Sequence, residues 1–343
     1  MKRWMMTADV TTVEGLTFQD VPTPEPGPGD LRIRVHAVSL NARDQMVMRG
    51  PFGRMPGQDV VPASDMSGVI DAIGSGVAGW AIGDRVVNLH FNGWTDGPFP
   101  PDAGFGLGSM TENGVLSDYI ILPATRVARA PASLTHAQAA TLPCAAVTAW
   151  NALFGDHPVK AGDKIMILGT GGVALFALQL AQAAGAQVSA ISSSDAKLAR
   201  LMQIGLDHGL NYRTTADWGA EMARLTGGID KVVDTIGTAT MNQSLAATTH
   251  GGEVAMVGLF SSGDAAPDMA LFGKSLRGIK VGSGVLYEAL ATFIDRHRIA
   301  PIIHKRFPFD QVKAAYQAQL APDLFGKIVI DVAPRVSPDL LWR

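Results

Sequence analysis

Gly169-Thr170-Gly171-Gly172-Val173-Ala174 is the stretch whose residue types and spacing most directly imply chemistry, because it fits G-x-G-x-x-G/A. In such a turn Gly169 permits the tight reversal and Gly171 lets the backbone approach a pyrophosphate. Ala174 is small enough for close helix–strand packing. A helix opening there, with Gly172 and Val173 in its first turn, offers unpaired N–H groups and a partial positive charge to phosphates. At the end of the next strand an NAD site usually places Asp or Glu on the ribose 2′-OH. This chain has Ser192-Ser193-Ser194 there, with Lys197 shortly beyond. Hydroxyls with a cation suit a 2′-phosphate, so NADP(H) is expected over NAD. Asp195 stands one step into the next helix, where capping is its ordinary role. Tyr212 and Arg213, after a short strand, either reach the adenosine phosphate or form a surface turn.

The elements around this turn alternate. Lys164–Leu168 reads as a strand, Val173–Ala184 as a helix ended by Gly185, and Gln187–Ile191 as a strand. A helix over Ala196–Ile204 and apolar runs at Lys231–Ile236 and Glu253–Val257 continue the pattern, which predicts a parallel sheet covered on both faces. Before Thr135-x-x-Gln138, a capping-box spelling, the chain is β-rich. Leu31–Val35 alternates apolar and charged residues, and Val69–Ile73 and Arg85–Leu89 are further strand candidates. A long Gly- and Pro-rich loop runs from Asn92 to Gly114, of a length more often functional or interfacial than filler.

Composition bounds the rest. The chain has 343 residues, enough for roughly two domains, with 47% hydrophobic and 17% charged residues. A net charge of −3 gives no basic face for nucleic acid. Ile165–Ser194 carries no charged side chain, but its glycine cluster and glutamines break it into strand, turn and helix, so no membrane span is expected. Asp9 and Glu14 interrupt any leader after Met1-Lys2-Arg3. The single cysteine, Cys144, excludes an intrachain disulfide framework and a four-thiolate zinc site, and it fits a reducing cytoplasm. G-x-S-x-G is absent, which removes the usual hydrolase nucleophile.

Several stretches then fall in a familiar order. They are Val35-x-Ala37-x-Ser39-Leu40-Asn41-x-x-Asp44, Asp65-x-x-Gly68, Gly83-Asp84-Arg85-Val86, Ala139-Ala140-x-Leu142-Pro143 with Thr148-Ala149, the Gly169 turn, and Gly326-Lys327-Ile328-Val329. Together they resemble the medium-chain dehydrogenase/reductase superfamily, on its zinc-free quinone-oxidoreductase-like side, over nearly the whole chain. The resemblance implies an α/β protein with a GroES-like catalytic domain over 1–124, completed by 286–343, and a Rossmann doubly wound parallel-sheet domain over 125–285 that binds NADP. It places the active site in the cleft between them and carries over Asn41, Thr148, Lys197, Gly258 and Leu259 as cofactor contacts.

Zinc-dependent members hold their metal with a Cys that has Asp three residues on, a His-Glu pair and a second Cys. Here Asn41 stands in the first Cys position with Asp44 keeping the spacing, Ser64-Asp65 replaces His-Glu, and Cys144 falls at the second Cys. One thiol and an acid cannot supply three strong ligands, so no zinc is expected. No histidine shows metal spacing, and each is expected to be a surface or core residue. Asn41 then polarises the acceptor oxygen through its amide N–H₂, unless it is only a loop amide. Asp44 is expected to orient this network, and Asp65 is either a buried acid near the nicotinamide or structural. Met46, Met48, Phe52 and Met55 make an apolar pocket or belong to the core, and solvent is left as the proton donor.

The resulting expectation is an NADPH-dependent reductase of a quinone or α,β-unsaturated carbonyl compound. A metal-free alcohol or ketone oxidoreductase is the alternative, and a non-catalytic NADPH-binding sensory or structural protein is the reading from another class. A strand-like Ile279–Gly284 at the sheet edge predicts a homodimer.

Overall fold

The computed structural model of the chain describes residues 1–50, 57–109, 112–258 and 271–332. It opens with β1 (Lys2–Met6) paired to β2 (Leu16–Asp20), then the long β3 (Asp30–Leu40). Along β3 the expected alternation appears: Leu31, Ile33 and Val35 are buried and Arg34 is exposed. Helix α1 (Ala42–Met48) leaves the end of β3 directly. β4 (Asp65–Ile73), β5 (Arg85–Asn88), β6 (Tyr119–Pro123) and β7 (Val127–Arg129) complete the first run. α2 (His136–Ala139) begins on the Thr135–Gln138 capping box, as its spelling predicts.

The alternating region follows: α3 (Val147–Phe154), β8 (Lys164–Leu168), α4 (Gly172–Ala183), β9 (Gln187–Ser192), α5 (Asp195–Gln203) and β10 (His208–Asn211). Then come α6 (Trp218–Thr226), β11 (Ile229–Asp234), α7 (Met241–Ala247), β12 (Thr248–Met256) and β13 (Ser275–Gly278). α8 (Gly284–His297), β14 (Ile303–Pro308), α9 (Val312–Ala318) and β15 (Lys327–Asp331) end the described chain.

These elements form two compact units, Met1–Cys144 with Ser283–Arg343, and Ala145–Gly282. Residues 125–144, with β7 and α2, therefore lie with the first unit rather than with the nucleotide-binding one. The second unit holds a six-stranded parallel sheet in the order β10-β9-β8-β11-β12-β13. Its strand order reverses between β8 and β11, and a crevice for a ligand opens at such a switch point. β8 is buried along most of its length, with apolar Ile165–Leu168, as a strand covered on both faces requires. The first unit holds the sheet β14-β15-β3-β4-β5-β7, with β6 also paired to β3. In its core, Leu31, Ile33, Met66, Val86 and Ile330 pack together.

One expected element moves. The edge strand is β13, Ser275–Gly278, and Ile279–Gly284 is not a strand. The last ladder bond runs from Ile279 N–H to Met256 O, at 2.8 Å. Val281 then turns to φ 31°, and Ser283 caps α8 through the Leu286 N–H. The β-branched residues of that stretch mimic a strand in sequence, but the backbone turns to start a helix. Among the described residues no helix is long and apolar enough to cross a membrane.

Candidate active site

In the second unit the glycine turn joins β8 to α4 as its pattern requires. Gly169 adopts φ 80°, the left-handed region, and its N–H donates to Ile191 O at 2.8 Å, tying the turn to β9. Gly171 differs in an informative way. Its φ of −75° suits any residue, and a Cβ built on it would meet nothing within 4 Å. The protein itself gives no steric reason for glycine there, whereas a pyrophosphate lying against the backbone does. Ala174 is fully buried against the sheet. Gly172 and Val173 stand in the first turn of α4, where N–H groups lack intrahelical partners.

The tip of β9 gathers the other predicted residues. Asn211 on β10 pairs in register with Ser192, and the Tyr212 N–H donates to Ser192 O at 3.1 Å. Ser192 Oγ accepts the Ser194 N–H, and Ser194 Oγ caps α5 through the Lys197 N–H. Ser193 and Lys197 are half-buried beside this tip, and Tyr212 is exposed. The nearby acid is engaged elsewhere: Asn211 Nδ2 donates to Asp195 Oδ1 at 2.8 Å. Thr148 is buried on α3. Gly258 is demanded by packing alone, since a Cβ there would lie 2.2 Å from the Ile236 carbonyl carbon. Leu259, Phe52 and Met55 lie outside the described residues. Met48 belongs to the hydrophobic core, which settles its role as packing.

In the first unit Asn41, Asp44, Asp65 and Cys144 come together, and residues that the motifs did not single out join them. Asn41 sits between β3 and α1, where its own N–H donates to Asp44 Oδ2 at 2.7 Å. Asp44 thereby forms the acidic half of a capping box at the start of α1. The Asn41 side-chain amide is held at both ends. Lys327 Nζ, at the start of β15, donates to Asn41 Oδ1, and Asn41 Nδ2 donates to Ser64 Oγ at 3.3 Å. Ser64 in turn donates to Asp65 Oδ1 at 2.7 Å, and the Cys144 N–H donates to Asp65 Oδ2 at 2.9 Å. The chain Lys327–Asn41–Ser64–Asp65 thus runs unbroken through buried space.

His90 is the main addition. It is buried, its Nδ1 has no hydrogen-bond partner among the described residues, and this atom lies 3.7 Å from Asp65 Oδ1. Arg126 anchors it from behind by donating to His90 O at 2.8 Å and pairing with Glu112. Arg43 fastens the far loop by donating to Leu107 O at 2.8 Å and Phe105 O at 3.0 Å. That loop is no loose excursion. Phe91, Trp94 and Phe99 pack on one another, and a Cβ on Gly114 would lie 2.0 Å from Ala63 O. Ala63, just before Ser64, adopts φ 66°.

The electrostatics follow from burial. Burial, with Asp65 nearby, pushes the Asp44 carboxyl up to about 6, against Arg43 and the Asn41 N–H. Burial alone would raise Asp65 too, but His90, Lys327 and Ser64 outweigh it and hold Asp65 below its usual range. Burial pushes His90 below its ordinary value, against Asp65, and pushes the Cys144 thiol up to about 12. Burial likewise lowers Lys327, against the support of Asp65 and Asp44.

A metal fit can now be tested. Asp65, His90 and Cys144 place one donor atom each within 4.8 Å of one another, so the expectation that only a thiol and an acid were at hand is corrected by His90. Three such donors and a water make a catalytic zinc set in number. A cation of the protein already shares these surroundings. The Lys327 ammonium, which donates to Asn41 Oδ1, stands in the same dry cluster and acts on Asp65.

Comparisons with known proteins agree with this architecture. Residues 27–132 match the alcohol dehydrogenase GroES-like domain, and residues 172–296 match the zinc-binding dehydrogenase family. The chain is 36% identical to a zinc-type alcohol dehydrogenase-like protein of Schizosaccharomyces pombe, over 96% of this chain and 99% of that one. The crystal structure of a putative alcohol dehydrogenase from Sinorhizobium meliloti superposes with a TM-score of 0.88 at 39% identity, covering 97% of this chain and 100% of the other. A quinone oxidoreductase of Pongo abelii is 26% identical over 87% of both chains. The chain belongs to the medium-chain dehydrogenase/reductase superfamily and is an NAD(P)-dependent oxidoreductase.

Proposed function

We propose that this oxidoreductase transfers hydride from NADPH to a quinone or α,β-unsaturated carbonyl compound without a catalytic zinc ion. The observation that carries the reading is the Asn41 amide, gripped by Lys327 and Ser64 where zinc-dependent relatives hold a metal ligand. Nδ2 carries two hydrogens, and Ser64 takes one. The second is the donor for an acceptor oxygen as it gains charge. The cofactor, which the Gly169–Val173 turn and the tip of β9 would hold, would supply hydride to the acceptor. The Asn41 N–H would meet the oxygen that takes the electron pair, and a proton from solvent would complete the enol or quinol. An enolate or quinolate is a stabilised anion, so a fixed hydrogen-bond donor suffices. Asp44 and Asp65 hold this donor in place rather than transfer protons.

NADPH is preferred over NADH because Ser193 and Lys197, both half-buried at the tip of β9, bring a hydroxyl and a cation, while Asp195 is turned to Asn211 and Ser192 is buried beneath them. The names of the relatives favour a second reading, oxidation of alcohols. We further propose a homodimer paired along β13, whose Leu276 is 38% exposed at the sheet edge. A single thiol fits the cytoplasm as its compartment.

The test follows absorbance at 340 nm in the purified protein with NADPH or NADH against quinones and enones, and with alcohols against NADP⁺. NADPH oxidation with a quinone or enone is expected. Turnover confined to alcohols would select the second reading. Binding of NADPH without turnover on any acceptor would make the protein a cofactor-binding module. Light scattering decides the dimer, which a monomer at working concentration overturns.

A further inference from the structure

The first unit buries two carboxylates, Asp44 and Asp65, within one side-chain cluster. Buried anions need a cation or a full set of donors, and a missing partner is costly. Arg43 pairs with Asp44 at 3.5 Å, and Lys327 supplies the cation for Asp65. Lys327 is 4% exposed and donates to Leu40 O at 2.7 Å as well as to Asn41 Oδ1. Its backbone is rigidly placed. Ile328 pairs with Leu40 in the β15–β3 register, so Lys327 stands one step before a fixed ladder. Behind it Gly326 adopts φ 97°, where a Cβ would lie 2.3 Å from Ile302 O.

Opposite stands the donor set Asp65, His90 and Cys144, within 4.8 Å, where His90 Nδ1 has no hydrogen-bond partner among the described residues. Donors alone would invite a divalent ion. We infer that the Lys327 ammonium is the resident cation of this site: it keeps divalent metal off Asp65, His90 and Cys144, and it positions the Asn41 amide. This inference rests on the zinc-independent reading above and deepens it by naming the group that enforces it. Like charges in a low-dielectric cluster repel strongly, and a divalent ion beside a fixed ammonium meets twice the repulsion of a monovalent one. Removing the ammonium leaves a site with spare negative charge and three ligands.

Cobalt(II) is the probe, because a cobalt–thiolate bond absorbs in the near ultraviolet and tetrahedral cobalt in the visible. Full-length wild-type protein, Lys327→Met and Lys327→Gln are each assayed for metal content by mass spectrometry and titrated with Co²⁺. Wild type is expected to carry no stoichiometric metal and to show no thiolate band. The two variants, folded by circular dichroism, are expected to bind one Co²⁺ at least about 100-fold more tightly than wild type, with the thiolate band lost on adding Cys144→Ser. Zinc or a one-to-one cobalt band in wild type overturns the zinc-independent reading and the inference with it. A metal-free wild type with equally metal-free folded variants overturns the inference alone. Should neither lysine variant fold, Asn41→Cys decides: it adds a thiolate but keeps Lys327, so it is expected still to refuse cobalt, and uptake overturns the inference.

Discussion

Asp65 accepts the backbone N–H of Cys144 at 2.9 Å, across 79 residues of sequence. A carboxylate at the start of β4 thereby fastens the turn at Leu142–Ala146, while its other oxygen takes the Ser64 hydroxyl. Asp65→Ala removes both acceptors and one counter-charge of the buried Lys327 at once. We expect a loss of about 3–5 kcal/mol in unfolding free energy, read from the urea midpoint. Asp65→Asn keeps one acceptor and should lose less. A midpoint unchanged in Asp65→Ala would show the bond to be idle.

Gly171 separates binding from folding. Because a Cβ there meets no protein atom within 4 Å and φ is −75°, Gly171→Ala should leave the melting temperature nearly unchanged. The added methyl should instead obstruct the pyrophosphate, raising the KM for NADPH by roughly tenfold or more, about 1.4 kcal/mol. A large drop in melting temperature, or an unchanged KM, would contradict this.

Cofactor choice should respond at the tip of β9. Lys197→Ala is expected to lower kcat/KM for NADPH by roughly tenfold or more while leaving NADH within about twofold, because only NADPH carries the 2′-phosphate. Ser193→Asp, which places an acid at the tip, should shift preference further toward NADH. Equal losses with both cofactors would point to damage rather than recognition.

Asp44 gives a pH signature. Its carboxyl is raised from 3.8 to about 6, chiefly by burial, so the folded state holds this proton more tightly than the unfolded chain. The associated stability is present below pH 3.8 and is lost as pH rises through about 6. Asp44→Asn removes that dependence. The difference in unfolding free energy, variant minus wild type, should therefore climb by up to about 3 kcal/mol between pH 4 and pH 7. Asp65 acts in the opposite sense and in a lower window. Its stabilisation is lost as pH falls below the usual carboxylate value of 3.8. Urea midpoints at four pH values check both signs.

How far the sequence could be read depended on range. The Gly169 turn, the Thr135 capping box and the alternation of β3 were legible because neighbours within a few residues decide them. The ligand-position substitutions, Asn41, Ser64-Asp65 and Cys144, were legible through a resemblance that spans the chain. His90, Arg43 and Lys327 were not assigned to the site, since each acts through space. His90 reaches Asp65 from the end of β5, and Lys327 reaches Asn41 only because β15 pairs with β3. The lone signal for His90 was its place one residue past a strand end beside the long loop. Ile279–Gly284 misled for the opposite reason, since its residues favour a strand and Ser283 with the turn at Val281 overrides them.

The loop from Asn92 to Gly114 is pinned on both halves: on the outgoing side the Gly284 and Val285 N–H groups donate to Trp94 O at 3.0 Å and Thr95 O at 2.9 Å. On the return side Arg43 grips the carbonyls of Phe105 and Leu107, and Gly108 and Gly114 press on Ala63, while Phe91 packs on His90 as well as on Trp94 and Phe99. Such double fastening makes the loop a strap rather than an appendage. A change at Trp94 is felt at the start of α8, and one at Gly108 or Gly114 is felt at Ala63, one residue before Ser64.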